Sequence, residues 1–260
     1  MLKRLFLSLL PVLPACALFV GNPADPSLYS KGYCLGRTLF SLRLGAYGDT
    51  MLRQKFKDEF QIPGTGNNPS YLTLLSSGGM IVLDYNRRID LYALLGSSRS
   101  QVDHEIYSRR TLSWGVGAKW AILVRRHFRM GLNGQYFQTI QRPAYFLGDG
   151  APYNVAAPYN LRISDVQAAL GCTYKIGPLA PYVNATYFYT KIEPTPLIAV
   201  VQYPFDPSIT LDATSKSVVS NRHWGMALGA TVLTDHCASV NIEARMLNQN
   251  GVSLSGELRF

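Results

Sequence analysis

The sequence has few charged residues, few cysteines and no long hydrophobic run beyond its first twenty residues. Charged residues make up 16% of the 260 positions, against roughly 25% in soluble domains, which excludes a highly solvated or disordered chain. After residue 20 no run reaches the ~18 apolar residues that a membrane-spanning helix needs, so a polytopic helical membrane protein is also excluded. The chain is instead rich in tyrosine (16) and basic, with 25 Lys and Arg against 16 Asp and Glu.

The first segment has the pattern of an export signal. Lys3 and Arg4 give it a basic start, and residues 5–14 form an apolar core. Residues 15–17 (Ala-Cys-Ala) then supply the small-x-small sequence that signal peptidase recognises. The alternative is lipidation at Cys16, because the residues leading up to it resemble a lipobox. Both routes export the chain.

Cleavage after Ala17 predicts three parts of the chain. Residues 1–17 are the signal peptide, 18–36 are a periplasmic N-terminal segment, and 37–260 are the folded domain. Because the signal carries Cys16 away, three of the four cysteines remain. This odd number leaves at least one thiol that cannot pair within the chain.

The folded domain shows the periodicity of β-strands. In residues 251–260, Val252, Leu254 and Leu258 alternate with serines and charged residues, so the two sets lie on opposite faces of a sheet. Residues 239–246 repeat the pattern, and the turn residues between the two segments predict a hairpin. The same alternation recurs in residues 40–47, 89–96, 112–122, 128–136, 165–175 and 224–232 and, less regularly, in 80–85 and 181–189.

Two all-β architectures produce such alternation. A soluble sandwich or lipocalin-like barrel buries its apolar face inside, whereas an outer-membrane barrel turns that face toward lipid and keeps a polar lumen. The second is favoured by segments of about ten residues, the length of a tilted bilayer-spanning strand. It is also favoured by small or charged residues on the polar face. The last strand ends in Phe260, as in bacterial barrels presented to the outer-membrane assembly machinery. We predict a transmembrane antiparallel up-and-down β-barrel.

The connections predict the number of strands. Short turns alternate with long loops at residues 51–70, 99–110, 141–160 and 191–221, as in barrels with periplasmic turns and longer outer loops. This arrangement gives about ten strands in residues 37–260 and returns the C-terminus to the periplasm. A further hairpin in 197–214 would make twelve strands with the same parity, so both numbers stay open.

This topology also places the remaining cysteines. Cys34 and Cys237 lie on the periplasmic side, where they can form a disulfide, and Cys172 faces lipid. Their spacing matches no zinc motif, and the adjacent Asp235, His236 and Cys237 could hardly all reach one metal ion. No metal and no other cofactor is predicted.

Several motifs resemble a known family. Residues 21–28 (GNPADPSL) are similar to the mature N-terminus of the chlamydial major outer membrane proteins, and residues 41–49 (SLRLGAYGD) to the family's first strand. Residues 88–96 (RIDLYALLG) and 112–119 (LSWGVGAK) follow in the same order. The resemblance implies an outer-membrane porin, often trimeric, that is also a main structural element of the envelope. This chain resembles a short member with few cysteines, so dense disulfide crosslinking is not expected.

The alternation also predicts which charged residues face the lumen. A lysine or arginine on the lipid face costs roughly 2–4 kcal/mol at the bilayer midplane, so the charged face is assigned to the interior. The predicted lumen-lining residues are Arg43, Asp90, Lys119, Arg129, Asp165, Lys175, Glu243, Arg245, Glu257 and Arg259. Six cations against four anions predict a mild anion preference if the lumen is open. Alternatively, the charges pair across a narrow barrel and fill it.

Signals for other functions are poor. The four histidines lie in loops, turns or a strand start, without a hydrolase or zinc-protease motif, so no catalytic residue and no enzyme is predicted. The basic residues are scattered along the chain, which argues against nucleic acid as a partner. The arginine pairs 87–88, 109–110 and 125–126 are instead expected to contact outer-membrane lipid phosphates or the acidic sugars of lipopolysaccharide at the two membrane interfaces, or equally to lie in solvated turns.

The leading hypothesis is a porin-like barrel in the cell outer membrane that lets small solutes diffuse. One alternative is a closed barrel that serves as envelope scaffold or as a surface-exposed binding protein. Another is a lipidated soluble β-barrel. The predicted partners are outer-membrane lipid, the assembly machinery that would recognise Phe260, and further copies of the chain in a homotrimer.

Overall fold

The computed structural model describes residues 21–29, 39–58, 60, 70–103, 105–148, 151–155, 158–202, 210–234 and 237–260. The predicted signal peptide (1–17), Cys16 and Cys34 lie outside the described residues. Within the ranges described, no helix is long and apolar enough to cross a membrane. The helical structure there is a 3-10 turn at Asp25–Ser27, and the other regular structure is β.

Fifteen strands form a single antiparallel sheet in the described part of the chain. Ten of them have nine residues or more and close into a ring. The ring strands are β1 (Phe40–Lys55), β2 (Tyr71–Tyr85), β3 (Ile89–Val102), β5 (Thr111–Val124), β6 (Phe128–Gly148), β8 (Asn160–Tyr174), β9 (Leu179–Thr195), β13 (Trp224–Thr234), β14 (Ala238–Met246) and β15 (Gln249–Arg259). The short strands are β4 (Ile106–Arg109), β7 (Ala151–Val155), β10 (Ile198–Gln202), β11 (Thr210–Thr214) and β12 (Val218–Val219).

The ring closes where the first strand meets the last. Each ring strand pairs with its neighbour along the chain. The last pair joins β1 to β15, where Arg43 lies opposite Arg259 and Leu44 opposite Leu258. Closure leaves no free sheet edge in the ring, which a lipid environment requires because it offers backbone groups no water to bond.

The number of membrane-crossing strands is ten, and the alternative of twelve is wrong. The additional hairpin predicted in residues 197–214 does exist, as β10 paired with β11. It pairs with β7 outside the ring, however, and does not insert between ring strands. Each of these strands has five residues, too few for the ~9–11 that a tilted strand needs to cross a bilayer.

The turns and loops lie at opposite ends of the barrel, as predicted. Short connections join β2 to β3, β5 to β6 and β8 to β9. The first residues of β1 and the last residues of β15 lie at the same end of the barrel. We assign this end to the periplasm, since barrels keep their short turns there. The short strands β4, β7, β10, β11 and β12 extend the sheet at the other, extracellular end.

The apolar face of the ring points outward. Trp114 is 41% exposed and Ile242 55% exposed, whereas Arg43, in the middle of an otherwise apolar stretch, is 0% exposed. A soluble sandwich or lipocalin-like barrel would show the reverse. Because hydrocarbon is the only environment that favours such an outer surface on a closed sheet, these side chains contact lipid.

Candidate functional site: the filled lumen

The interior holds most of the charged side chains predicted to line it. Nine of the ten predicted residues are buried, and Lys175 is half-buried. The nine buried residues belong to seven different ring strands, which bring them together because every second residue of a strand points inward, and Lys175 directly follows β8. The consequence for the lumen depends on how these charges are arranged.

A three-residue ion cluster occupies the periplasmic half of the lumen. The Arg43 guanidinium on β1 contacts the Asp90 carboxylate on β3 and lies 3.0 Å (Nε–Oε2) from Glu257 on β15. All three side chains are almost completely buried. Nearby, Arg259 Nη2 lies 3.2 Å from Asp84 Oδ2, a carboxylate that also accepts a hydrogen bond from the Ser41 hydroxyl (3.3 Å).

A second cluster lies toward the extracellular half. Arg245 on β14 contacts the Asp49 carboxylate on β1, and its Nε lies 3.9 Å from Glu243 Oε1. The Tyr182 hydroxyl lies 3.1 Å from the other Glu243 oxygen and 2.9 Å from Asn241 Oδ1. The charges predicted to set an anion preference are therefore largely paired across the lumen.

The N-terminal segment lies inside the barrel and not in the periplasm. Its described part, residues 21–29, is buried apart from the half-buried Ser27. Asp25 Oδ2 lies 3.2 Å from Lys119 Nζ, and the Asn22 side-chain oxygen accepts a hydrogen bond from the Thr173 hydroxyl (2.7 Å). The prediction of a periplasmic segment over 18–36 is thus wrong for these residues, because polar groups inside the ring hold them.

Further contacts fix both ends of this segment. The Asn184 amide donates to the Gly21 carbonyl (3.1 Å), and the Lys175 ammonium donates to the Leu28 carbonyl (3.3 Å). The Tyr29 hydroxyl bonds the Ser239 hydroxyl, and the Arg43 guanidinium carbon lies 4.4 Å from the centre of the Tyr29 ring. Residues 21–29 therefore plug the periplasmic half of the lumen, and we call them the N-terminal plug.

Two glycines make room for the plug. Gly131 on β6 and Gly171 on β8 lie directly opposite each other in the sheet. A side chain at Gly131 would overlap the Pro23 backbone, and one at Gly171 would overlap the Pro23 ring. In the sequence, this pair of inward glycines on neighbouring strands is a signal for a buried segment.

The extracellular end of the lumen is apolar, which the sequence analysis did not predict. Buried apolar side chains from the ring ends and the loop strands form one cluster there, which we call the outer apolar core. Its buried members are Met51, Phe56, Phe60, Leu72, Leu74, Val102, Ile106, Phe137, Phe146, Tyr159, Leu161, Ile163, Ile192, Ala199, Val201 and Val218. The plug thus occupies the periplasmic end of the described interior, and this core occupies the extracellular end.

The remaining predicted site residues stay untested. Phe260 is half-buried, and its backbone N–H donates to the Leu42 carbonyl (2.8 Å) at the seam between β15 and β1. This position is compatible with an assembly signal but does not test one. Because Cys34 lies outside the described residues, its disulfide with Cys237 also stays a prediction. The structure describes no group of three or more His, Cys, Asp or Glu side chains that could hold a metal ion.

A closed ring of ten strands with an apolar outer face and a charged interior defines an outer-membrane β-barrel. Comparison with curated proteins agrees. The chain is similar to a major outer membrane porin of Chlamydia pneumoniae, with 22% identity over 94% of each chain. It is similar to the serovar C major outer membrane porin of Chlamydia trachomatis with 21% identity, over 94% of this chain and 95% of that one.

These similarities support the resemblance found in the sequence at the level of outer-membrane porin-like proteins, and the protein is located in the outer membrane. No protein-family model matches the chain. Among solved structures, the outer membrane protease OmpT from Escherichia coli superposes with a TM-score of 0.48 and 12% identity, covering 88% of this chain and 99% of that one. The translocator domain of the autotransporter NalP from Neisseria meningitidis superposes with a TM-score of 0.48 and 8% identity, covering 86% of this chain and 89% of that one.

Proposed function

We propose that the protein is a structural barrel of the outer membrane that does not conduct in the conformation described. The observation that carries this proposal is the burial of its inward-facing charges: a water-filled pore would leave these side chains exposed to solvent. Most of them are paired with one another or with the N-terminal plug, whereas Arg129 and Asp165 are buried without an ion pair among the described residues. The barrel then contributes to the envelope by spanning the membrane and by presenting its loop sheet at the cell surface, without a catalytic role.

Single-channel recording in planar bilayers tests the proposal. The full-length mature protein is expected to insert without resolvable conductance steps, because the plug and the outer apolar core obstruct the lumen in series. Circular dichroism and heat-dependent mobility on a gel would show that the protein in the same preparation is a folded barrel. Steady conductance from such protein would contradict a structural role alone.

A second candidate function is diffusion of small solutes, which the names of the similar porins favour. It requires the plug to leave the lumen and the outer apolar core to open. A variant that lacks residues 21–29 tests the first of these requirements. Conductance restricted to this variant would support a porin closed by its own N-terminus, whereas silence from both proteins would show that removal of the plug alone opens no path past the outer apolar core, as the structural role predicts. Trimer formation and recognition of Phe260 by the assembly machinery remain predictions.

A further inference from the structure

Two arginines face each other directly at the extracellular end of the barrel. Arg109 on β4 and Arg142 on β6 are cross-strand partners, and both side chains are exposed. Like charges in this position destabilise a sheet pair. A bound anion would offset this repulsion, so the pair is a candidate anion site.

Two further arginines join the pair around a shared surface depression. Arg99, Arg109 and Arg110 line a cavity of about 370 Å³. Arg109 and Arg142 line an adjoining one of about 530 Å³. Among the described residues, no carboxylate lines either cavity, and none of the four arginines forms an ion pair. Arg109 lies in the lining of both cavities, so the four arginines border two adjoining spaces without a described counter-charge.

The depression also has an aromatic wall. Tyr107 and Tyr145, both in the lining of the smaller cavity, stack with their ring centres 4.9 Å apart. Both are half-buried, so part of the ring surface remains open. The site therefore presents flat apolar surface beside the charged groups, which suits a sugar carrying an anionic substituent better than a bare ion.

The position relative to the membrane identifies the kind of ligand. Leu112 is 68% exposed and Ile140 43% exposed. Leu112 follows Arg110 by two residues, and Ile140 precedes Arg142 by two on the same face of β6, a separation of about 7 Å toward the middle of the barrel. The arginines thus lie immediately above the outward apolar surface, at the level of the lipid headgroups of the outer leaflet.

We propose that Arg99, Arg109, Arg110 and Arg142 form a binding site for the phosphate groups of an outer-leaflet glycolipid. Guanidinium groups bind phosphate oxygens in a bidentate manner, and basic pockets at a membrane interface recognise anionic headgroups. The site lies on the outer face of the sheet, so it is independent of whether the barrel conducts.

Binding of fluorescent lipid A to the folded full-length protein in uncharged detergent tests this site. The double variant Arg109→Gln/Arg142→Gln is expected to bind bisphosphorylated lipid A at least about tenfold more weakly, since each charge-assisted contact contributes on the order of a tenfold factor or more. The matched control is Arg125→Gln/Arg126→Gln, which removes two exposed arginines from a turn at the other end of the barrel. It should bind like the unmodified protein.

Further arms distinguish the source of the phosphate. Dephosphorylated lipid A should bind as weakly to the unmodified protein as the phosphorylated form does to the double variant. Equal binding of both lipids, or equal weakening by the control, would overturn the proposal. Inorganic phosphate that bound the arginines as tightly as lipid A does would also overturn the proposal, because the site would then serve a free anion. Should the double variant fail to fold, Arg109→Gln alone, expected to weaken binding in the same direction, takes its place.

Discussion

Replacement of Arg43 by glutamine is expected to lower the free energy of unfolding of the barrel by about 3–5 kcal/mol. The substitution leaves Asp90 and Glu257 as two neighbouring carboxylates that are buried and have lost their shared cation. Removing one partner from a buried ion cluster is costly because the other charges remain without compensation. Urea unfolding from lipid vesicles, followed by tryptophan fluorescence, measures the loss.

Arg53 provides the matched control for this experiment because it lies on the same strand but is exposed. Its guanidinium carbon lies 3.9 Å from the Tyr71 ring centre, an exposed cation–π contact that contributes about 0.5–1 kcal/mol. Arg53→Gln should therefore cost at most that much. The triple variant Arg43→Met/Asp90→Asn/Glu257→Gln should recover most of the stability, since it removes the charges together. Equal losses for Arg43→Gln and Arg53→Gln would show that the cluster does not stabilise the barrel.

Replacement of Gly131 by valine is expected to expel the N-terminal plug. The new side chain would overlap the Pro23 backbone, and overpacking of this kind costs about 1–3 kcal/mol. This cost makes the state with the plug outside about fivefold to a hundredfold more populated. Ala24→Cys, introduced in a background without native cysteines, reports the change because Ala24 is completely buried when the plug is in place.

Maleimide labelling of this cysteine should be at least about fivefold faster in the Gly131→Val protein. Gly134→Val is the control: it makes the same substitution on the same strand, where a side chain would meet nothing within 4 Å. Its labelling rate should match that of the protein with both glycines intact. If the two valine variants were labelled equally fast, the plug would not occupy the space in front of Gly131.

The alternation of residues was sufficient to predict the barrel and the orientation of its faces. Ile242 and Arg245 illustrate why. Successive side chains of a strand point to opposite faces, so polarity alone assigns the apolar Ile242 to the lipid face and the charged Arg245 to the lumen face. The number of strands was left open because the hairpin in 197–214 has strand-like composition. The exclusion of this hairpin from the ring depends on its pairing with β7, a tertiary contact that composition cannot predict.

The contents of the lumen were harder to predict. Residues 21–29 show no periodicity. Their conformation is fixed by contacts with Thr173, Lys119 and other side chains distant in sequence. The outer apolar core was missed for a different reason. Leu161 and Ile163 lie on the inner face of β8 near its extracellular end, so the inward positions there are apolar and the pattern resembles that of a soluble β-protein.

The Arg43 cluster joins the two ends of the chain. Arg43 belongs to the first ring strand and Glu257 to the last, and the two strands are paired at the seam. This ion pair is therefore absent from every folding intermediate whose seam is still open, and it forms only at the final step of assembly. The Arg43–Glu257 pair therefore stabilises only the closed ring, and contacts between such distant parts of a chain make folding slow.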